Sequence, residues 1–369
     1  VKRLTSRGIS FSIPRGIVVS LIAVLMGLIA GTLFMALAGS NPLAGYLFMF
    51  RGGLMNFERI GNTLATATPL IFTGLSVAFA FSTGLFNIGA SGQLLVGGLC
   101  ATAVGLTVVL PKPLLLLLML VAAILGGGLW GFIPGLLKAL FNVHEVVATI
   151  MMNWLSYWLV YYTIPPYFKG EFMETESRRI AENASLRVPW LSEIFDGSFI
   201  NLGILIAIVV AIIIWVILTK TVLGYELKAA GYNRYAAEYG GMKVNRNIVL
   251  SMTIAGVLAG IGGMAVYAGY SVNMQIGVLP SQGFDGIAVA LLGANSPIGV
   301  LFSALFFGLL HSGKGYMNAM TQIPPQIGDT IIAIILYFAA TSVLFNRLIG
   351  SIKKRFFARR ASKLQAEGN

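Results

Sequence analysis

Charge is scarce in this chain, and cysteine is almost absent. Of 369 residues, 10% are Asp, Glu, Lys or Arg and 57% are hydrophobic, which leaves too little polar surface for a soluble globule to meet water. Cys100 alone, inside an apolar run, excludes an intramolecular disulfide. Histidine is limited to His144 and His311, far apart in the chain. Neither has a Cys, Asp or Glu at ligand spacing beyond Glu145 next to His144, so no metal site is expected. No nucleophile stands with an evident base, and no catalytic residue is assigned. What fills the chain instead is long apolar runs, the mark of a polytopic, all-α membrane protein.

The excess of Lys and Arg gives a formal net charge of +12. These residues sit in short loops and tails beside apolar spans, which is a topology signature rather than a nucleic-acid footprint. Apolar segments lie at about 17–38, 61–82, 86–110, 114–137, 146–164, 200–219, 248–270, 281–294, 297–313 and 327–345. Lys2, Arg3, Arg7 and Arg15 ahead of the first segment imitate a secretory signal, but the stretch 16–38 exceeds a signal's apolar core and reads as an uncleaved helix. The 281–294 segment is too short to span and is expected as a half-helix packed inside the bundle. Ten passes over a bundle at 16–346 put both termini on one side. The basic tail at 347–369, with Arg347, Lys353, Lys354 and Arg355, makes that side the cytoplasm.

Two loops stand out. Residues 165–199 fall outside; Glu171, Glu174, Glu176, Glu182, Glu193 and Asp196 outnumber their basic residues, and Pro165-Pro166 suggests a structured cap or docking surface. Residues 220–247 fall inside. Their centre, GYELKAAGYNRYAAEYGG at 224–241, reads as one or two short helical turns between glycine corners, small enough on its Ala face for close docking into a partner's groove.

Motifs borrowed from soluble enzymes are set aside. GLLHSGK at 308–314 fits a phosphate-loop spacing, but Gly315 stands where the magnesium-binding hydroxyl is required and the segment ends a membrane helix. GIGGMA at 260–265 follows no strand, and its small residues suit helix packing. Two other Gly-rich segments carry more information: GLFNIGASGQ at 84–93 and SQGFDG at 281–286. Both place polar side chains at the start of a membrane helix, the first near the cytoplasmic face and the second near the outer face, as expected of inverted repeats relating helices two to five to helices seven to ten. Asn87 and Gln93 either hydrogen-bond a neutral solute or satisfy helix ends. Asp285 reads as an N-cap, with a functional role at membrane depth as the alternative, and Asp329 as a cap or dipole partner of the last helix.

Taken with the helix SMTIAGVLAGIGGMAVYAG at 251–269 and GFDGIAVALLGANSPIG at 283–299, these segments resemble the membrane subunit of bacterial ATP-binding-cassette importers for nucleosides, relatives of the ribose, galactoside and branched-chain amino acid permeases. The likeness runs from the first helix to the basic tail, and Ser91 departs from it where an acidic residue is usual. It implies a type II importer-like fold, a second permease chain (in a heterodimer or homodimer), a separate cytoplasmic ATPase that binds ATP and magnesium, and an extracytoplasmic binding lipoprotein or periplasmic receptor. It implies further that Glu226, Lys228, Ala229, Ala230, Gly231, Asn233, Arg234, Ala237 and Gly240 couple to the ATPase, and that Asn87, Ser91, Gln93, Gln282, Phe284 and Asp285 border the substrate path. A simple-sugar permease and an ion-coupled secondary transporter are the alternatives.

Single cysteines next to Arg234 and next to Ser177, in a Cys100→Ser background, are expected to react with an impermeant thiol reagent only from inside and only from outside, respectively. Labelling of both from one face overturns the ten-pass topology.

Overall fold

The computed structural model describes residues 15–171 and 173–341. The first fourteen residues and the tail 347–369 lie outside the described residues, as does the end of the last expected pass. The chain begins with α1 (Arg15–Leu37), α2 (Pro42–Leu54), α3 (Phe57–Ser82), α4 (Ala90–Thr107), α5 (Lys112–Phe141) and α6 (Glu145–Phe168). After a 3₁₀ turn at Glu182–Ala184 come α7 (Pro189–Ile194), α8 (Gly203–Lys220), α9 (Val222–Tyr232) and α10 (Arg234–Tyr239). Then α11 (Val244–Met264) runs on as a π-helical turn, Ala265–Tyr270, and α12 (Ser281–Leu292), α13 (Pro297–Thr321) and α14 (Gln326–Ala340) complete the bundle.

Among the described residues, seven helices, α1, α3, α4, α5, α8, α11 with its π turn and α13, are long and apolar enough to cross a membrane. The remaining expected segments are α6, whose Glu145, Asn153 and paired prolines dilute its hydropathy, the 12-residue α12, and α14. The half-helix is therefore present. It ends in a turn at Ala294 and Asn295, both with positive φ, before Pro297 opens α13.

The inverted repeat is visible in the packing. Helix α3 lies against α12 and α13 as α11 lies against α4 and α5, and α4 meets α6 as α12 meets α14. The two pairs that such a symmetry maps onto themselves, α3 with α11 and α4 with α12, are also in contact. Helix α3 is the most deeply buried of the long helices, with Phe72, Phe79, Leu70, Ile71 and Leu75 at 1% exposure or less. The most extensive helix seam among the described residues is α5 on α11. A Cβ built at Gly256 would stand 2.3 Å from the Gly127 carbonyl oxygen, and one built at Gly131 would stand 2.3 Å from that of Met252. In lipid, where apolar side chains gain nothing by leaving a solvent as apolar as themselves, such backbone-to-backbone van der Waals packing is a main source of helix association.

Helix α2 was not expected from the sequence. Its 13 residues include Arg51 and three glycines, too short and too dilute for a span, yet Asn41 caps it and Pro42 opens it. It lies antiparallel to the second half of α13, with Gly53 against Leu309 and Gly45 against Ile323.

Gly256→Ala is expected to lower the stability of the detergent-solubilised protein by about 1–3 kcal/mol, because rigid backbone faces the new methyl group. Gly315→Ala, at a site with nothing within 4 Å of the added Cβ, is expected to leave the thermal midpoint unchanged. Equal midpoints for the two variants would remove the seam's claimed role.

Candidate functional site

Helix α3 stops at Ser82, and Gly84, at φ +71°, reverses the chain. Residues 85–89 then run back beside α3 before α4 begins. This turn-back leaves backbone and amide groups inside the bundle, and side chains satisfy them. Asn87 Nδ2 donates to Ser76 Oγ (3.3 Å) and to Gln93 Oε1 (2.9 Å), while Asn87 Oδ1 accepts from Gly89 N at 3.0 Å and from Gln93 Nε2 at 3.2 Å. Asn153 of α6 accepts from Gly92 N at 2.8 Å and donates to the Ile88 carbonyl at 3.0 Å. Asn87, Ser91 and Gln93 are at most 1% exposed. Of the two roles open to Asn87 and Gln93, the structure assigns the repair of a broken helix.

The two Gly-rich segments, expected near opposite faces, meet. Ser91 Oγ donates to the Pro280 carbonyl at 2.8 Å, and Thr73 Oγ1 donates to the Gln282 carbonyl at 2.8 Å. A Cβ on Gly283 would lie 2.3 Å from Ser91 N, so the starts of α4 and α12 touch directly. The expectation failed because a re-entrant turn lifts residues 85–93 away from the end of the bundle where α3 stops.

Asp285 is not an N-cap. Pro280 occupies that position, and Asp285 stands in the second turn of α12 with Oδ2 3.4 Å from His311 Nε2. Sequence reasoning passed over His311 by testing it only as a metal ligand; an ionisable residue within a membrane helix was the signal. Gln282 is partly exposed and Phe284 is 40% exposed, so these two, with Asp285, are the expected path residues that reach the surface of the chain. Asp329 lies in the first turn of α14 as expected and accepts from Lys314 Nζ. A cavity of about 280 Å³ opens beside the start of α12, lined by Val266, Tyr267, Ser271, Asn273, Ser281 and Gln282.

At one end of the bundle residues 169–171 and 173–202 form an ordered cap. Ser177 N donates to the Met274 carbonyl, Ile180 N to that of Val272 and Leu186 N to that of Ala268, so the cap is laid along the segment linking α11 to α12. Arg187 donates to the Gly269 carbonyl at 2.8 Å and to the Tyr270 carbonyl at 2.6 Å, closing the π turn, and its guanidinium covers the Phe199 ring. Burial lowers the Arg187 pKa, with Arg179 acting in the same direction; arginine starts so high that the group stays charged at neutral pH.

At the opposite end, α9 and α10 replace the one or two turns expected. Asn233 Oδ1 accepts from Ala236 N at 3.1 Å, starting α10. Glu226 accepts from Asn247, and Arg234 donates to Asn245, tying both helices to α11. The Ala face is turned the other way from the expected docking surface. Ala230 and Ala237 are buried with Leu85 and Ile248, and Ala229 packs beside them. A Cβ on Gly231 would come within 2.8 Å of Ser82, Thr83 and Gly84 backbone atoms. The outward face is aromatic: Tyr225, Tyr232, Tyr235 and Tyr239 are 66%, 92%, 75% and 96% exposed, with Lys228 partly exposed and Gly240 ending α10 beside them.

A multi-pass bundle with paired re-entrant breaks, an ordered cap at one end and a short helix pair at the other is the architecture of a membrane permease. The chain belongs to the family described as the branched-chain amino acid transport system / permease component, whose model matches residues 59–340. It is 42% identical to the guanosine ABC transporter permease protein NupP of Bacillus subtilis, over 92% of this chain and 97% of that one. It is 39% identical to the nucleoside ABC transporter permease protein NupB of Lactococcus lactis, over 92% and 94%, and 32% identical to the glucose ABC transporter permease protein TsgB13 of Haloferax volcanii, over 88% and 87%. No solved structure matches the chain.

Asn153→Ala strips partners from one buried N–H and one buried carbonyl, so a loss of about 2–4 kcal/mol is expected in reversible unfolding. Asn153→Asp keeps the acceptor for Gly92 and is expected to fall between that variant and the native protein. An alanine variant as stable as the native chain would refute the repair role.

Proposed function

We propose that the chain is the permease subunit of an ATP-binding-cassette importer for nucleosides. It forms a translocation path with a second permease chain and receives solute from an extracytoplasmic binding protein at the 169–202 cap. The chain needs no cofactor and performs no chemistry of its own. ATP and magnesium belong to a cytoplasmic ATPase that docks on α9 and α10, which puts that end of the bundle, and both termini, in the cytoplasm. The near full-length likeness to permeases named for guanosine and nucleosides supports nucleosides over simple sugars.

The observation that carries the mechanism is the contact of Gly231 with Gly84. Through it the coupling helices rest on the turn that holds Asn87 and Gln93, and Thr83 Oγ1 donates to Ser251 Oγ of α11 at 2.7 Å just beside it. A displacement of α9 by the ATPase therefore bears on the break between α3 and α4 with no intervening flexible loop. Because Ser91 joins that break to Pro280, the same displacement reaches α12 at the centre of the bundle. A packed, bistable contact of this kind can turn a small local shift into a change of access.

Tyr232→Asp and Tyr239→Asp are expected to weaken co-purification of the ATPase by about tenfold or more, as loss of exposed aromatic anchors does at protein interfaces. Membrane insertion and receptor binding should be unaffected. Gly231→Trp, by contrast, is expected to damage the permease fold itself, since it faces backbone of the α3–α4 turn. Full ATPase association and uptake in the double tyrosine variant, reconstituted with all partners, would sink the docking assignment.

A further inference from the structure

We infer that Asp285 and His311 form a hydrogen-bonding station for the solute in the wall of the translocation path, and that Lys314 and Asp329 line its approach. The inference rests on the importer reading above and adds the site at which the solute is met.

His311 lies within α13 and Asp285 in α12, and both side chains are partly exposed, at 16% and 20%. One turn along α13, Lys314 meets Asp329 of α14, with side-chain exposures of 27% and 52%. Two ionisable pairs thus follow one another along a single face of α13 toward its C-terminal end. Ionisable groups in membrane helices face protein or water rather than lipid, because the hydrocarbon gives their charges nothing in place of hydration. This face is therefore covered in the working transporter by a water-filled path or by the second permease chain across it. The apolar side chains of α13 point elsewhere: Phe302, 70% exposed, and Ile298 offer an ordinary lipid surface nearer its start.

The inner pair is also under-used. Nε2 of His311 is enclosed and has no hydrogen-bond partner among the described residues; it stands 3.4 Å from Asp285 Oδ2 without the alignment of a hydrogen bond. Asp285 accepts no hydrogen bond from any described residue. The partly exposed Asp285 carboxylate provides acceptors, and a turn of the His311 ring toward the surface would bring its unpartnered Nε2 to the same point, which suits adjacent hydroxyls on a sugar ring or the N–H edge of a base. Lys314 has Asp329 beside it, and Asp285 has the His311 imidazole beside it, so donors and acceptors alternate along the face. Such a face suits a solute that both donates and accepts hydrogen bonds.

The test uses the complete importer in vesicles, with its ATPase and receptor, and labelled guanosine as the probe. Asp285→Asn and His311→Gln are expected to reduce uptake about tenfold, the scale of one charge-assisted hydrogen bond, with receptor affinity, subunit assembly and basal ATP hydrolysis unchanged. Native uptake in both variants overturns the inference. A second measurement needs no knowledge of the solute. His311→Cys in the Cys100→Ser background is expected to react with a charged, water-soluble thiol reagent, while Phe302→Cys in the same background does not. If the cysteine at 311 is no more reactive than that at 302, the wall assignment fails whatever is transported. If it labels while the native importer takes up no guanosine, the path stands and the nucleoside reading alone is lost.

Discussion

In a membrane interior every backbone N–H and carbonyl must find its partner within the chain, and this fold is organised around two places where continuous helices fail to supply them. One is the turn at 83–89, the other the stretch from the π turn to Pro280. Asn87 and Asn153 repair the first, and Arg187 and the backbone of the cap repair the second. Ser91 and Thr73 then tie the repaired segments to each other. Removing Asn87, Asn153 or Ser91 leaves a buried polar group without its partner, which is why buried polar side chains are concentrated where α3, α4 and α6 meet.

Such a repaired break differs mechanically from an unbroken helix. The hydrogen bonds that hold it run between elements rather than along one, so its geometry follows the relative placement of α3, α4, α6 and α12. Helix α9 rests on one side of it and the half-helix on the other. The break is thus held by packing and hydrogen bonds from several elements at once rather than by the ladder of a single helix.

The long apolar runs were legible in the sequence because length and hydropathy alone decide what can span, and the half-helix was legible because 281–294 is apolar yet too short. Helix α2 was not, since Arg51 and its glycines hide a seam that only α13 reveals. The role of Ala230 and Ala237 was misread for a related reason. Small residues permit close approach to any backbone, and a sequence does not say whether that backbone belongs to a partner or to the same chain. The meeting of 84–93 with 280–283 escaped because a re-entrant turn changes depth without changing composition. The pairing of Asp285 with His311 joins residues 26 apart on two helices, and no local pattern announces it.

Helix α1 packs chiefly on α14, its glycines 27 and 31 seated against Ile335 and Ile331. Helix α1 thus has its principal partner about 300 residues downstream, and at about 5–20 residues per second of synthesis roughly a quarter of a minute to a minute separates them. During that interval α1 sits in the bilayer with a bare glycine face. Order of synthesis and order of closure therefore differ: like a barrel with one stave left open, this side of the bundle closes only when α14 is driven in beside α1.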